Sequence, residues 1–322
     1  MKRVCIVGCG AIGSLYAAHL ARVVEVWAFV RREDHARALN RDGLQVSGKH
    51  EFHTSLKATT KRDELPDCDL AIVATKATQV GDSMELVGSR FDRGAVLSAQ
   101  NGLGSEEIIA AHTRGHVIRG TTFMSGTKHS DNHVQLELDT ATWIGPFEPR
   151  NTSFTVVREA ADLIKAAGLK AEALSDARPA QWSKLIFNAS VNGASALTGL
   201  PHSPHFADES QLSSLGHLLH ELIDEGKQVA AAAGVILHED AWEMNKIGAV
   251  TNHPPSMLFD VRHQLPTEVD FLSGAIARQA QRCGVAAPLH TTVYRLVKGK
   301  EVSWNFKDEN RAVAAHSKDV QH

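Results

Sequence analysis

Apolar residues in the first half of the chain come in short blocks separated by stretches of helical period. Val4-Cys5-Ile6-Val7 is an unbroken apolar run that stops at Gly8, which predicts a buried strand. Residues 14–24 follow with a period near 3.6, Leu15, Ala18 and Leu20 forming the apolar stripe. Further strands are predicted at 24–30, ending in Arg31-Arg32, and at 69–75, 95–99 and 117–123. Near-continuous apolar strands alternating with helices imply a parallel sheet covered on both faces. Residues 134–138 and 142–144 are expected to pair as an antiparallel hairpin closed by Gly145-Pro146. An amphipathic helix at 152–167 ends at Gly168 and feeds a last strand at 169–174.

From about Arg178 the pattern changes. Helical periods dominate at 179–198, 211–233, 239–250 and 269–283, with no further strand-turn-helix unit. The expectation is an α/β domain over 1–175 and a helical domain over 176–322, with a polar tail after Trp304 that frays. A chain of 322 residues is long enough for two such domains.

Composition removes several classes. A formal net charge of -3 and 6% aromatic residues give no polyanion-binding surface and no base-stacking platform, so no nucleic-acid partner is expected. No run approaches the ~20 apolar residues of a membrane span, and Val4–Val7 is too short for the core of a secretory signal. The four cysteines form no CxxC pair and no ligand spacing, and read as reduced, structural thiols of a cytoplasmic protein. The 18 histidines are scattered without an HExxH, and His202-Ser-Pro-His205 has no acidic or cysteine neighbours, so no metal site is expected.

Gly8-Cys9-Gly10-Ala11-Ile12-Gly13 is a GxGxxG that follows an apolar strand and opens a helix, the context of a dinucleotide-binding Rossmann turn. Gly8 permits the tight turn and Gly10 lets a pyrophosphate approach the backbone beside Ala11 and Ile12. Gly13 lets helix and strand pack closely. Eighteen residues after Gly13, where NAD enzymes place an acid for the ribose 2′-OH, stands Arg31-Arg32. A guanidinium fork suits a 2′-phosphate, favouring NADP(H); the alternative is solvated arginines with Glu33 or Asp34 on a ribose hydroxyl.

Other candidates lie where ligands of open α/β sheets bind, past the carboxyl ends of strands. Lys76 follows the third strand and Asn101 the fourth, although either could be a plain loop or turn residue. In the 179–198 helix Lys184, Asn188 and Asn192 recur every four residues amid Leu185, Ile186, Phe187 and Val191. One lysine and two asparagines on a largely apolar helix look like the lining of a wet cleft, against the plainer reading of a surface stripe. Ser256 could be an N-cap, and Glu268 a carboxylate favoured at a helix start.

Taken together, these segments resemble the ketopantoate reductase (2-dehydropantoate 2-reductase) family, whose 6-phosphogluconate-dehydrogenase-like fold joins a Rossmann domain to an all-α domain. The resemblance runs from IVGCGAIGSLYAAHL through VATKATQV, QNGLGSEEII, QWSKLIFNASVNGASALTG, PPSMLFDV and TEVDFLSG to RLVKGKE. It implies NADPH-dependent reduction of 2-dehydropantoate to pantoate, the reductive step toward pantothenate. Lys184 resembles the general acid, and Glu268 the carboxylate that orients the substrate hydroxyl and that lysine. Asn188, Asn192 and Ser256 resemble substrate contacts, Lys76 and Asn101 residues between cofactor and substrate, and Arg31 the 2′-phosphate clamp. The chain departs from the family pattern at Thr121-Thr122-Phe123-Met124 and at Leu138-Asp139-Thr140-Ala141. Both segments are expected to border the nicotinamide end of the cleft, where they bear on which oxo acid is taken. The other readings are a reductase of a different 2-oxo acid, carbonyl or imine, and a silent NADP-binding regulator, for which no recognition helix is visible. The partner is therefore a small 2-oxo acid, and a homodimer is compatible with the sequence.

Overall fold

The computed structural model describes residues 1–207, 214–249 and 254–306. Its first part is built on an eight-stranded sheet and a smaller four-stranded one. β1 (Arg3–Val7), α1 (Ala11–Leu20), β2 (Glu25–Phe29), α2 (Glu33–Asp42), β3 (Leu44–Gly48), β4 (Phe52–Thr54) and β5 (Lys57–Thr59) come first. Then follow β6 (Leu70–Val73), α3 (Val80–Val87), β7 (Ala95–Ser98), α4 (Ser105–His112) and β8 (His116–Thr122). β9 (Ser125–Ser130), β10 (His133–Leu138), β11 (Thr142–Pro146), α5 (Phe154–Ala166) and β12 (Ala171–Ala173) complete this part.

The main sheet runs β12-β11-β8-β7-β6-β1-β2-β5. The six strands from β8 to β5 are parallel, and β11 lies antiparallel to β8. The chain fills the sheet from β1 outward in one direction through β2 and β5, then returns to β6 on the other side of β1. That reversal opens a crevice beyond the carboxyl ends of β1 and β6, where ligands of such sheets bind. Successive side chains of one strand go to opposite faces. Val4 and Ile6 enter a cluster with Leu15 of α1 and Val157 of α5, whereas Cys5 and Val7 pack with Val80 and Met84 of α3 and Ile109 of α4. This double burial explains the unbroken apolar runs in the sequence.

The expected hairpin between 134–138 and 142–144 does not form. β10 pairs instead with β9 through the two-residue turn Asp131-Asn132, and with β3 on its other side. β11 pairs with β8 in the main sheet. The two segments bury their apolar residues in different sheets: Val134 and Leu136 face α1, while Ile144 faces α5. The second sheet, β4-β3-β10-β9, was not foreshadowed because β9, SGTKHS, carries no apolar run.

The second part is helical. α6 (Arg178–Thr198) is its central rod, surrounded by α7 (Ser214–Ala232), α8 (Ala241–Ala249), α9 (Ser256–Arg262), α10 (Ser273–Cys283) and α11 (Pro288–Ser303). Leu185, Ile186, Ala189 and Ala196 of α6 share one core with Leu222 of α7, Met257 of α9 and Val293 of α11. The protein is thus a Rossmann-type α/β domain followed by a helical domain. α9 and α11 are additions to the helices expected from periodicity. α10 begins at Ser273 rather than near 269, because residues 268–272 are spent in turns, Phe271 N–H donating to Glu268 O at 2.9 Å. The expected tail lies, beyond Phe306, outside the described residues, as do the predicted helical positions 211–213 and 250.

Candidate active site

The glycine-rich turn follows β1 directly. Gly8 has φ +92° and donates its N–H to Phe29 O at 2.9 Å; a side chain there would run into Thr75. A side chain on Gly13 would collide with the Gly8 carbonyl, so this close approach of helix and turn requires glycine. Around Gly10 the situation is opposite. Nothing stands within 4 Å of where its side chain would be, and no side chain caps the first turn of α1. Ala11 and Ile12, half-exposed, open that turn. Open space before uncapped helix N–H groups fits a pyrophosphate.

Arg31 and Arg32 stand past β2, as expected, but they differ. Arg32 is engaged, 2.7 Å from Asp34 and 2.6 Å from Asp131. Arg31 is exposed and makes no hydrogen bond or ion pair among the described residues, leaving its guanidinium available. The second sheet brings an unforeseen cation beside the same turn: Lys128 of β9 donates to Cys9 O at 3.2 Å and pairs with Asp131 at 3.0 Å. Burial, with the charge of Lys128 adding to it, holds the neighbouring His35 below the usual histidine range.

Across the crevice, Lys76 follows β6 and pairs with Asp260 of α9, a carboxylate 3% exposed. Burial pushes Asp260 up and Lys76 pulls it back. Sequence reasoning did not single out Asp260, although it lies four residues after Ser256 in the same short segment. Glu268 accepts the Ala77 N–H at 2.7 Å. It is therefore a turn residue tied to the loop after β6, not the helix-starting carboxylate the sequence suggested. Burial raises its pKa, and the Ala77 N–H, Lys76 and Lys184 act against that rise. Asn101 heads a loop that docks on the same turn. Gly102, at φ +92°, has no room for a side chain against Phe271 O, and Leu103 N–H donates to that carbonyl at 3.0 Å.

α6 supplies the remaining groups. Lys184 donates to Thr122 O at the carboxyl end of β8, with Nζ 5.3 Å from the Phe123 ring centroid. Burial lowers its pKa to about 8, and the Glu268 charge limits the fall. One helical turn on, Asn188 is half-buried and makes no hydrogen bond among the described residues. A further turn on, Asn192 accepts from Met257 N at 3.1 Å and Ser256 Oγ at 3.3 Å. Ser256 is thus the exposed first residue of α9, facing Asn192, while Pro255 takes the N-cap position. The structure brings Lys76, Asn101, Lys184, Asn192, Ser256 and Glu268 to one junction between the sheet's carboxyl edge and the helical domain. A protonated amine within the field of a half-buried carboxylate, with amide side chains along the same helix, can polarise and protonate a carbonyl oxygen.

The two segments that depart from the family pattern differ in placement. Phe123 stands beside Lys184 and 6.2 Å, centroid to centroid, from Phe187. Met124 is buried in the core beneath the second sheet, and Asp139, between β10 and β11, is paired at 3.2 Å with Lys170, just before β12. The expectation that both segments border the cleft therefore holds for Phe123 rather than for Met124 or Asp139.

Residues 4–149 match the family model described as ketopantoate reductase PanE/ApbA, and residues 176–301 match its C-terminal counterpart. The chain is 30% identical over 307 residues to a 2-dehydropantoate 2-reductase from Archaeoglobus fulgidus, covering 94% of this chain and 98% of the relative. A PanE/ApbA family ketopantoate reductase from Ralstonia eutropha superposes with a TM-score of 0.81 at 23% identity, covering 95% of this chain and 100% of the other. A D-mandelate dehydrogenase in a ternary structure with NADH and anilino(oxo)acetate superposes with a TM-score of 0.82 at 24% identity and the same coverage. At these identities the two structural likenesses speak for the fold. Two family models spanning most of the chain, with a relative matched nearly end to end, show that this protein is an oxidoreductase belonging to the ketopantoate reductase family.

Proposed function

We propose that the protein reduces 2-dehydropantoate to pantoate with NADPH, in the cytoplasm. The carrying observation is Lys184, a lysine at the sheet's carboxyl edge with its pKa lowered to about 8 by burial and held up by the charge of Glu268. A general acid works best when its pKa lies near the operating pH. Gly8, Gly10, Ala11, Ile12 and Gly13 would hold the pyrophosphate, and Arg31 the 2′-phosphate, with Lys76 and Asn101 between cofactor and substrate. When bound, NADPH supplies the hydride to C2 of the oxo acid. Lys184 gives its proton to the carbonyl oxygen, becomes a neutral amine, and regains a proton from solvent. Glu268 holds that ammonium and receives the substrate hydroxyl. Asn188, Asn192 and Ser256 contact the hydroxyl and carboxylate. In this reading 1–175 binds the dinucleotide and 176–322 completes the substrate site, and a homodimer is compatible with it.

A second reading follows from Phe123 and Phe187. Two rings beside the lysine favour an oxo acid with an apolar or aromatic side chain, such as phenylglyoxylate. Rates of NADPH oxidation with 2-dehydropantoate and with phenylglyoxylate separate the two. The first reading expects the larger kcat/KM for 2-dehydropantoate. A larger value for phenylglyoxylate would transfer the assignment to the second, and turnover with neither would remove both.

A further inference from the structure

Behind the Asn101 loop, on the side away from Lys184, lies a second cleft of about 390 Å³. Trp182 is two residues from Lys184, so the two point ~200° apart around α6, to opposite sides. Leu103 and Trp182 contribute apolar surface, and four arginines converge on it: Arg119, Arg178, Arg278 and Arg282. One carboxylate, Glu107, shares the lining.

The arginines are unevenly neutralised. Arg178 pairs with Asp176 at 2.7 Å. Arg119, only 7% exposed, pairs with Glu148 at 3.3 Å and with the buried Glu106 at 3.9 Å and donates to Gln181 Oε1 at 2.5 Å, while its Nε has no partner. Arg278 reaches only a carbonyl, that of Asp270, at 2.5 Å, and Arg282 makes no hydrogen bond or ion pair among the described residues. These two stand four residues apart on α10, where like charges repel. The two guanidinium groups without a carboxylate partner among the described residues, Arg278 and Arg282, together with the spare Nε–H of Arg119 beside an apolar floor, suit one ligand chemistry. A phosphate dianion presents enough oxygens for several guanidinium forks, whereas a single carboxylate satisfies one.

The cleft also touches the candidate active site. Its wall is the loop that carries Asn101, and Gln181 joins Arg119 to that loop by donating to Gly102 O at 3.1 Å. An anion drawing Arg119 outward would loosen Gln181 and with it the Gly102 carbonyl.

We propose that this cleft binds a small organic phosphate, with the phosphate held by Arg119, Arg278 and Arg282 and an apolar body against Leu103 and Trp182, and that its occupancy alters substrate affinity through the Asn101 loop. The coupling rests on the reading of Asn101 as a substrate residue; the binding does not.

Calorimetric titration of phenyl phosphate into protein saturated with NADPH reads the binding without turnover, with the dinucleotide site filled. Binding is expected, about fivefold tighter than inorganic phosphate because of the apolar floor. It should weaken at least about tenfold in the Arg278→Gln/Arg282→Gln variant, whose two positions are exposed and tolerate the change. Absence of binding, equal affinity for both phosphates, or unchanged affinity in the variant would each overturn the site. The KM for the oxo acid, measured with and without phenyl phosphate, should shift about fivefold in the native protein and not in the variant. Binding without that shift would overturn the coupling. An enzyme inactive on every oxo acid yet binding phenyl phosphate as described would sink the functional reading and leave the site standing.

Discussion

A lysine whose pKa sits near 8 titrates where an enzyme works, so Lys184 gives the account its sharpest residue-level consequences. In the proposed mechanism its protonated form is the proton donor, so kcat/KM for reduction should be flat below about pH 8 and fall as pH rises through that value. Glu268 holds this pKa up by its charge, so Glu268→Gln should move the inflection to lower pH. Replacing Lys184 by Ala should cost about 10²–10⁴-fold in kcat while NADPH still quenches or enhances fluorescence as it does in the native protein. A variant with near-native kcat would take Lys184 out of the mechanism. The two arginines past β2 separate just as cleanly. Arg32 is spent on Asp34 and Asp131, whereas Arg31 is free of partners among the described residues. Arg31→Asp should therefore erode a preference for NADPH over NADH by roughly 10- to 150-fold, the size of one charge-assisted hydrogen bond, and Arg32→Ala should barely change it. Equal kcat/KM for the two cofactors in the native protein would contradict the assignment of Arg31.

Elements were legible in the sequence where burial imposes a pattern. β1, β6 and β7 are buried on both faces and read as apolar blocks, and α6 announced itself by a polar stripe on an apolar rod. β9 and β10 were not legible as a pair, because pairing choice depends on which core each strand covers, and one sequence window does not contain that information. The helix expected from 269 failed for a related reason: the Glu268–Leu272 turns satisfy Ala77 and Leu103, groups 191 and 168 residues away in sequence from their acceptors. The same burial that made β6 legible makes it fragile. Ile72 is fully buried in the strand that carries Lys76 to the crevice. Ile72→Ala should destabilise the fold by about 2–5 kcal/mol, read as a lower midpoint in urea with unchanged m-value; a loss under about 1 kcal/mol would mean the site collapses around the missing methyls more readily than the packing suggests.

At the scale of the whole molecule, the candidate site is a junction. The sheet contributes the glycine turn, Lys76 and Asn101; the helical part contributes Lys184, Asn192, Ser256 and Glu268. Two links across it, Lys76–Asp260 and Ala77–Glu268, use groups the sequence reading had placed separately or had not named. The side chains were legible because their residue types are unusual for their positions. Their partners were not, because Asp260 is an ordinary helix residue until the fold sets it against Lys76. No helix among the described residues is long and apolar enough to cross a membrane. In the proposed function the polar groups gathered at the junction are matched to a hydroxylated oxo acid. The direct test compares kcat/KM for 2-dehydropantoate and for 2-oxoisovalerate, its counterpart without the hydroxymethyl group, at fixed NADPH. A site built to hydrogen-bond a hydroxyl rejects the analogue lacking it, by up to about 10⁴–10⁵ in the best cases. The account predicts a ratio of at least roughly 100 in favour of 2-dehydropantoate, whereas comparable values for the two acids would contradict it.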